Sequence, residues 1–134
     1  MNDFNDRVIA EFRANHGRVG GLFAGAPMLL LHTTGARSGA ERVSPMMYRE
    51  DGERMLVFAS YAGADEHPAW FHNLVAQPLV SAEVGDETLE LLATPLEGEE
   101  RDRHYAAQAA EYSGFARYQE QTSRVIPVVA LTRR

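Results

Sequence analysis

The sequence predicts an α+β fold that is mainly β: an antiparallel sheet or small barrel with helices on its outside. Short apolar runs bounded by Gly, Pro and Asp recur along the chain and outnumber segments of helical period. Asp51-Gly52 and Gly85-Asp86 sit between such runs as hairpin turns. A length of 134 residues, 45% of them apolar, suits one core. The strand–helix alternation of a Rossmann domain is missing.

Residues 3–15 place Phe4, Val8 and Phe12 on one stripe of a short helix, and Gly17, Gly20, Gly21 and Gly25 then interrupt regular structure. Residues 28–34 (MLLLHTT) read as a buried strand ending at the turn GARSGAER. A second strand covers 43–50, where Pro45 demands an edge position or a bulge. The returning strand is 54–60 (RMLVFAS). Pro68 opens a helix over 68–77 that stops at Gln77-Pro78. Residues 80–84 and 88–94 pair around Gly85-Asp86. The acidic run EGEERD starts a helix over 97–111. A further helical piece covers 115–123, and 126–132 is the last strand. The expected organisation is an N-terminal helix and Gly-rich lead-in over 1–27, followed by a barrel domain over 28–134.

Composition excludes several chemistries. Without cysteine there is no disulfide, thiolate metal site or cysteine nucleophile. All 13 basic residues are arginine, so neither a lysine Schiff base nor the lysine of a P-loop is available. A net charge of −6 argues against nucleic acid, and it leaves membrane association without support. The first residues lack the apolar core of a signal peptide and no apolar window is long enough to span a bilayer, so a cytoplasmic location is expected. His67 and His72 would lie about 140° apart around a helix, and no HExxH occurs, so no metal site is expected. Ser38 sits in G-x-x-S-G before a strand, whereas a nucleophile elbow needs G-x-S-x-G before a helix.

Three segments carry possible chemistry. The turn 35–42 combines two glycines, Ser38, Arg37 and Arg42 against a single Glu41. It reads either as an anion cradle of backbone N–H groups and guanidinium forks or as a tight turn with exposed charges. In HPAWFHN, Trp70 and Leu74 are core anchors with Asn73 a satisfied buried amide, or the segment is a wall of a ligand pocket. Tyr112, Phe115 and Tyr118 repeat at spacing three, a stripe that packs in the core or looks onto a site.

The segments TTGARSGAERVSPMMY, LVFASYAG, HPAWFHNLVAQP and RYQEQTSRVIPVVALT, in that order, resemble the deazaflavin-dependent nitroreductase family over residues 28–132. The resemblance implies a split β-barrel of antiparallel strands with flanking helices, related to the FMN-binding split barrel, and coenzyme F420 as cofactor. It places the phosphate loop on Ala36, Arg37 and Ser38, and sets Arg42, Val43, Ser44, Pro45, Met46 and Met47 beside the deazaflavin ring. Phe58, Ala59, Ser60 and Tyr61 form a second wall, and Ala69, Trp70, Phe71, His72 and Asn73 a third. The substrate face falls on Tyr112, Phe115 and Tyr118. Met47, Tyr61 and Phe115 stand where the nitro-drug-activating pattern has tyrosine, lysine and tyrosine, so that face is altered.

The implied reaction is hydride transfer from C5 of reduced F420 to a small electron acceptor: an enone, a quinone or a nitro compound. The cofactor supplies the hard chemistry, which fits a chain without a lysine or cysteine nucleophile. Tyr118 or Tyr112 would give the completing proton, and Ser60 would orient the acceptor. The alternatives are an FMN-dependent oxidoreductase on the same barrel and a non-catalytic F420-binding protein. Oligomeric state is left open, a homodimer included.

Overall fold

The computed structural model describes residues 3–134, so the first two residues of the expected lead-in lie outside the described residues. Its strands are β1 (Met28–Thr34), β2 (Glu41–Met47), β3 (Arg49–Asp51), β4 (Arg54–Phe58), β5 (Leu79–Val84), β6 (Glu87–Pro95) and β7 (Val128–Arg133). The helices are α1 (Asp3–Ala14), α2 (Ala69–Ala76), α3 (Gly98–Glu111) and α4 (Ser113–Glu120). The strands form one seven-stranded sheet in the order β2-β1-β5-β6-β7-β4-β3, with every pairing antiparallel.

That order curls the sheet. β2 and β3 are its two opposite edges, yet only Tyr48 separates them in the chain. Edges joined by one residue must lie side by side, so the sheet rolls into a half-barrel, and β2 also touches β4 across the roll. The strand expected over 43–50 is therefore two strands, broken where the chain crosses from one edge to the other. Pro45 falls on edge strand β2, where its missing N–H costs no ladder bond.

The continuous apolar runs are explained by burial on both faces. In β1, Leu29 and Leu31 point into the barrel, while Met28 and Leu30 pack outward with Val8 and Phe12 of α1. In β4 and β7, Val57, Val129 and Leu131 point inward. Their neighbours Leu56, Phe58, Val128 and Ala130 pack outward against Tyr105 of α3 and Phe115 of α4. β5 and β6 alternate in burial instead: Val80, Ala82, Leu91 and Ala93 are buried between exposed or half-buried neighbours. The turn after α1 is held by Gly17 at φ +95°, where a Cβ would stand 2.8 Å from the Gly85 Cα of the β5–β6 hairpin.

Two further boundaries move. Tyr112 is extended (φ −126°, ψ 95°) and ends α3, so it does not share a helix face with Phe115 and Tyr118. The last strand starts at Val128, because the Ile126 N–H is taken by the Gln119 side chain and Pro127 has none to give.

Candidate functional site

The hairpin loop between β1 and β2 is braced by its own groups. Gly35 N–H donates to the Ala40 carbonyl (2.7 Å), Gly39 N–H to the Gly35 carbonyl (2.9 Å) and Ala40 N–H to the Ser38 hydroxyl (3.1 Å). Asn73 on α2 ties this loop down from the other side. Its amide oxygen accepts from Ala36 N–H (3.0 Å), and its amide nitrogen donates to the Thr33 hydroxyl (3.2 Å). Asn73 and Thr33 are buried. The Arg37 and Ser38 N–H groups meet no acceptor among the described residues.

Over this loop opens a cavity of about 720 Å³. One wall is residues 35–38 with Arg42, Val43 and Ser44 of β2; the other is Ala69, Trp70, His72 and Asn73 of α2. Among the described residues neither Arg37 nor Arg42 has an ion-pair partner. Glu41, the one acid of the turn, lies 3.3 Å from His32 Nδ1 instead. His32 also meets Glu83 (2.6 Å), which is bound by Arg13 of α1 (2.7 Å). The Arg13 hydrogen bond holds the Glu83 carboxyl below its ordinary range, with His32 adding to it.

The remaining site residues lie outside this lining. Met46 and Phe71 pack on the barrel core, Met47 packs beside α1, and Pro45 precedes the two methionines on β2. Phe58 and Phe115 meet edge to face (5.7 Å), and Phe115 and Tyr118 likewise (5.5 Å), on the outward face under α3 and α4. The Tyr105 hydroxyl donates to the Phe115 carbonyl (2.6 Å). Those of Tyr112 and Tyr118 meet no hydrogen-bond partner among the described residues.

Ala59, Ser60 and Tyr61 enter a strained loop. Tyr61 (φ 46°) and Ala62 (φ 53°) are both left-handed, and Gly63 (φ 80°) packs on the last turn of α4. What holds this loop is Arg124, a residue that sequence reasoning passed over. Its guanidinium donates to the carbonyls of Ala64 (2.7 Å), Ala59 (3.1 Å) and Ser60 (2.7 Å), and to His67 Nδ1 (3.0 Å). The His67 ring lies 4.8 Å from that of Phe71 and 5.8 Å from that of His72, a cavity residue. Burial, with Arg124 and His72 beside it, holds the His67 imidazole below its ordinary pKa. The only sequence signal for Arg124 was its place in the RYQEQTSRVIPVVALT segment.

Comparison with known proteins adds to this geometry. The family described as F420H(2)-dependent quinone reductase matches residues 6–133. The chain belongs to that family. It is thus one of a family of oxidoreductases that draw on reduced coenzyme F420. An F420H(2)-dependent quinone reductase of Mycobacterium tuberculosis is 40% identical over 129 residues, covering 93% of this chain and 87% of the relative. A solved F420H2-dependent reductase is 40% identical with a TM-score of 0.71, covering 78% of this chain and 93% of the other. A chain solved as a domain-swapped dimer is 36% identical with a TM-score of 0.72, covering 94% and 96%. A Listeria innocua protein named for pyridoxamine 5'-phosphate oxidase shares the fold alone, at 14% identity and a TM-score of 0.59 over 98% of this chain and 94% of the other. The half-barrel is thus a split barrel, as the resemblance implied.

Proposed function

We propose that the chain reduces quinones with reduced F420, and that the cavity between the 35–40 loop and α2 holds the phosphate end of that coenzyme. The observation that carries this is the pair Arg37 and Arg42: two guanidinium groups beside one cavity, without carboxylate partners, in a chain of net charge −6. Such a chain repels a polyanion everywhere except at a local basic patch. The free N–H groups of Arg37 and Ser38 add donors of the kind that phosphate takes. The residues present therefore fit the coenzyme.

Bound there, reduced F420 would supply a hydride, and with one proton added the acceptor would leave as the two-electron-reduced product. The protein's share is placement and protons. Arg37 and Arg42 fork onto phosphate oxygens. Asn73 keeps the loop in shape through Ala36, and as a lining residue with a second amide N–H to give it stays a candidate contact for the coenzyme. Ser44, Trp70 and His72 wall the cavity and would flank the deazaflavin, and the loop of Phe58, Ala59, Ser60 and Tyr61 would border the acceptor. Tyr118 or Tyr112 gives the completing proton, because both hydroxyls are free to donate while that of Tyr105 is engaged.

Quinone is the acceptor class we favour, on the names of the relatives; enones and nitro compounds are the other acceptors to compare. The relative solved as a domain-swapped dimer supports a homodimer, which sedimentation would reveal. Among the described residues no helix is long and apolar enough to cross a membrane, and we place the protein in the cytoplasm. The deciding experiment titrates the protein with oxidised and reduced F420, then follows single turnovers with each acceptor class. Purified protein that carries FMN and ignores F420 would overturn the reading, as would F420 binding without turnover on every acceptor.

A further inference from the structure

We propose that Arg124 is a positioning residue of the site: its guanidinium clamps the strained 59–64 loop and fixes the tautomer of His67, setting the aromatic wall behind the cavity. The proposal rests on the F420 reading for its kinetic consequence, and on geometry alone for the rest.

A guanidinium can only donate, so the contact from Arg124 to His67 Nδ1 (3.0 Å) requires that nitrogen to be the acceptor. The imidazole proton is then on Nε2, and a second proton would need the nitrogen that Arg124 occupies. The same guanidinium takes three loop carbonyls, of Ala59, Ser60 and Ala64, and no carboxylate reaches it within ion-pair distance among the described residues. Its full charge is therefore spent on the loop and the imidazole. The groups facing His67 are Arg124 and His72; those acting on Arg124 are Tyr105 and Asp65. Among the described residues no carboxylate lies within ion-pair distance of His67 to favour its cation.

The clamp has something to hold. Tyr61 and Ala62 are left-handed without being glycine, a conformation that persists only where surroundings enforce it. The loop carries Ser60 and Tyr61, and the imidazole packs, tilted, against the rings of Phe71 and His72. A lysine could put a charge there but could not reach four acceptors in fork geometry.

Nitrogen-15 NMR on the whole protein tests this, with His67 assigned by its loss in His67→Gln. The expected signature is an Nε2–H imidazole that does not titrate between pH 5.5 and 8. In Arg124→Gln, or in Arg124→Lys should the first not fold, the His67 signal should begin to titrate inside that window, because the guanidinium no longer occupies Nδ1, while burial still holds it below its ordinary value. In the same variant, the KM for F420H2 should rise about tenfold and gain a pH dependence over that range, with kcat changing less than about threefold. A wild-type His67 that titrates normally or carries its proton on Nδ1 would overturn the clamp. So would a variant whose KM matches wild type at every pH. If wild type itself ignores F420H2 while the NMR signature holds, the F420 reading fails and the tautomer lock stands.

Discussion

Asn73 offers the sharpest test of how the fold serves the site. Asn73→Ala removes two bonds: to Ala36 N–H (3.0 Å) and to the Thr33 hydroxyl (3.2 Å). A neutral hydrogen bond contributes about 0.5–1.5 kcal/mol net, and a buried polar group left unpaired costs about 1–3 kcal/mol. Thr33 is only 3% exposed, so its hydroxyl bears that cost, while the exposed Ala36 rehydrates. The expected loss is about 2–4 kcal/mol. For a domain of this size that is a fall in Tm of roughly 8–15 °C, read by calorimetry. The freed loop should also raise the Kd for F420. Thr33→Val separates the two effects, since it cuts the far bond and leaves Ala36 tethered: Tm should fall while the Kd stays put. A Tm within about 2 °C of wild type in Asn73→Ala would refute the reasoning. Equal loss of F420 affinity in both variants would refute the claim that the Ala36 tether shapes the loop.

Four more outcomes follow from the same geometry. Arg37→Ala and Arg42→Ala should each weaken F420 binding by about 1–3 kcal/mol, the worth of a charged hydrogen bond, and unchanged Kd in both would sink the phosphate assignment. Tyr118→Phe should slow turnover at saturating acceptor by about 10²-fold or more if Tyr118 gives the proton, and full turnover removes it from that role. Gly63→Ala should lower the denaturant midpoint: φ is +80°, and a Cβ would collide with the Gln121 side chain and crowd the Tyr118 backbone. The Arg13–Glu83 pair should set an acid limb of stability. Glu83 has its pKa lowered on folding, so its contribution is fully present above the unfolded value and is lost as pH falls through the lowered one. Glu83→Gln should therefore melt below wild type at pH 7, and the gap should close on the acid side of the ordinary carboxylate value of about 4.3; a gap that persists there contradicts the assignment.

What the sequence made legible divides along a physical line. Hairpins were readable because Asp51-Gly52 and Gly85-Asp86 need little beyond local backbone geometry: one turn forms on Gly85-Asp86, and the other one residue on, at Gly52-Glu53, with Asp51 paired to Arg54. The split of 43–50 was not, because Tyr48 is an ordinary strand residue whose break depends on the sheet closing on itself. The same holds for Tyr112: spacing three suggested one helix face, but the chain is extended there and a new helix begins. The residues around the cavity were legible as motifs. Their division of labour was not, since Asn73 could be seen as a tether only once Thr33 and Ala36 stood on either side of it. The role of Arg124 was not legible beyond its place in a motif segment, because its four partners come from residues 59–67.

The electrostatics of the cavity turn on the two-residue period of a strand. In the linear sequence Glu41 stands next to Arg42 and four residues from Arg37, close enough to neutralise either. Consecutive strand residues point to opposite faces, so if Arg42 of β2 looks into the cavity, Glu41 cannot. Its carboxylate is drawn instead to His32 Nδ1 of β1, beside Glu83 of β5. Shifting β2 by one residue against β1 would turn Glu41 inward beside Arg37 and cancel the patch. The pairing Thr34↔Glu41 is therefore as much a part of the proposed anion site as the arginines themselves. The tight 35–40 loop, with Gly35 N–H on the Ala40 carbonyl, is what keeps it in register.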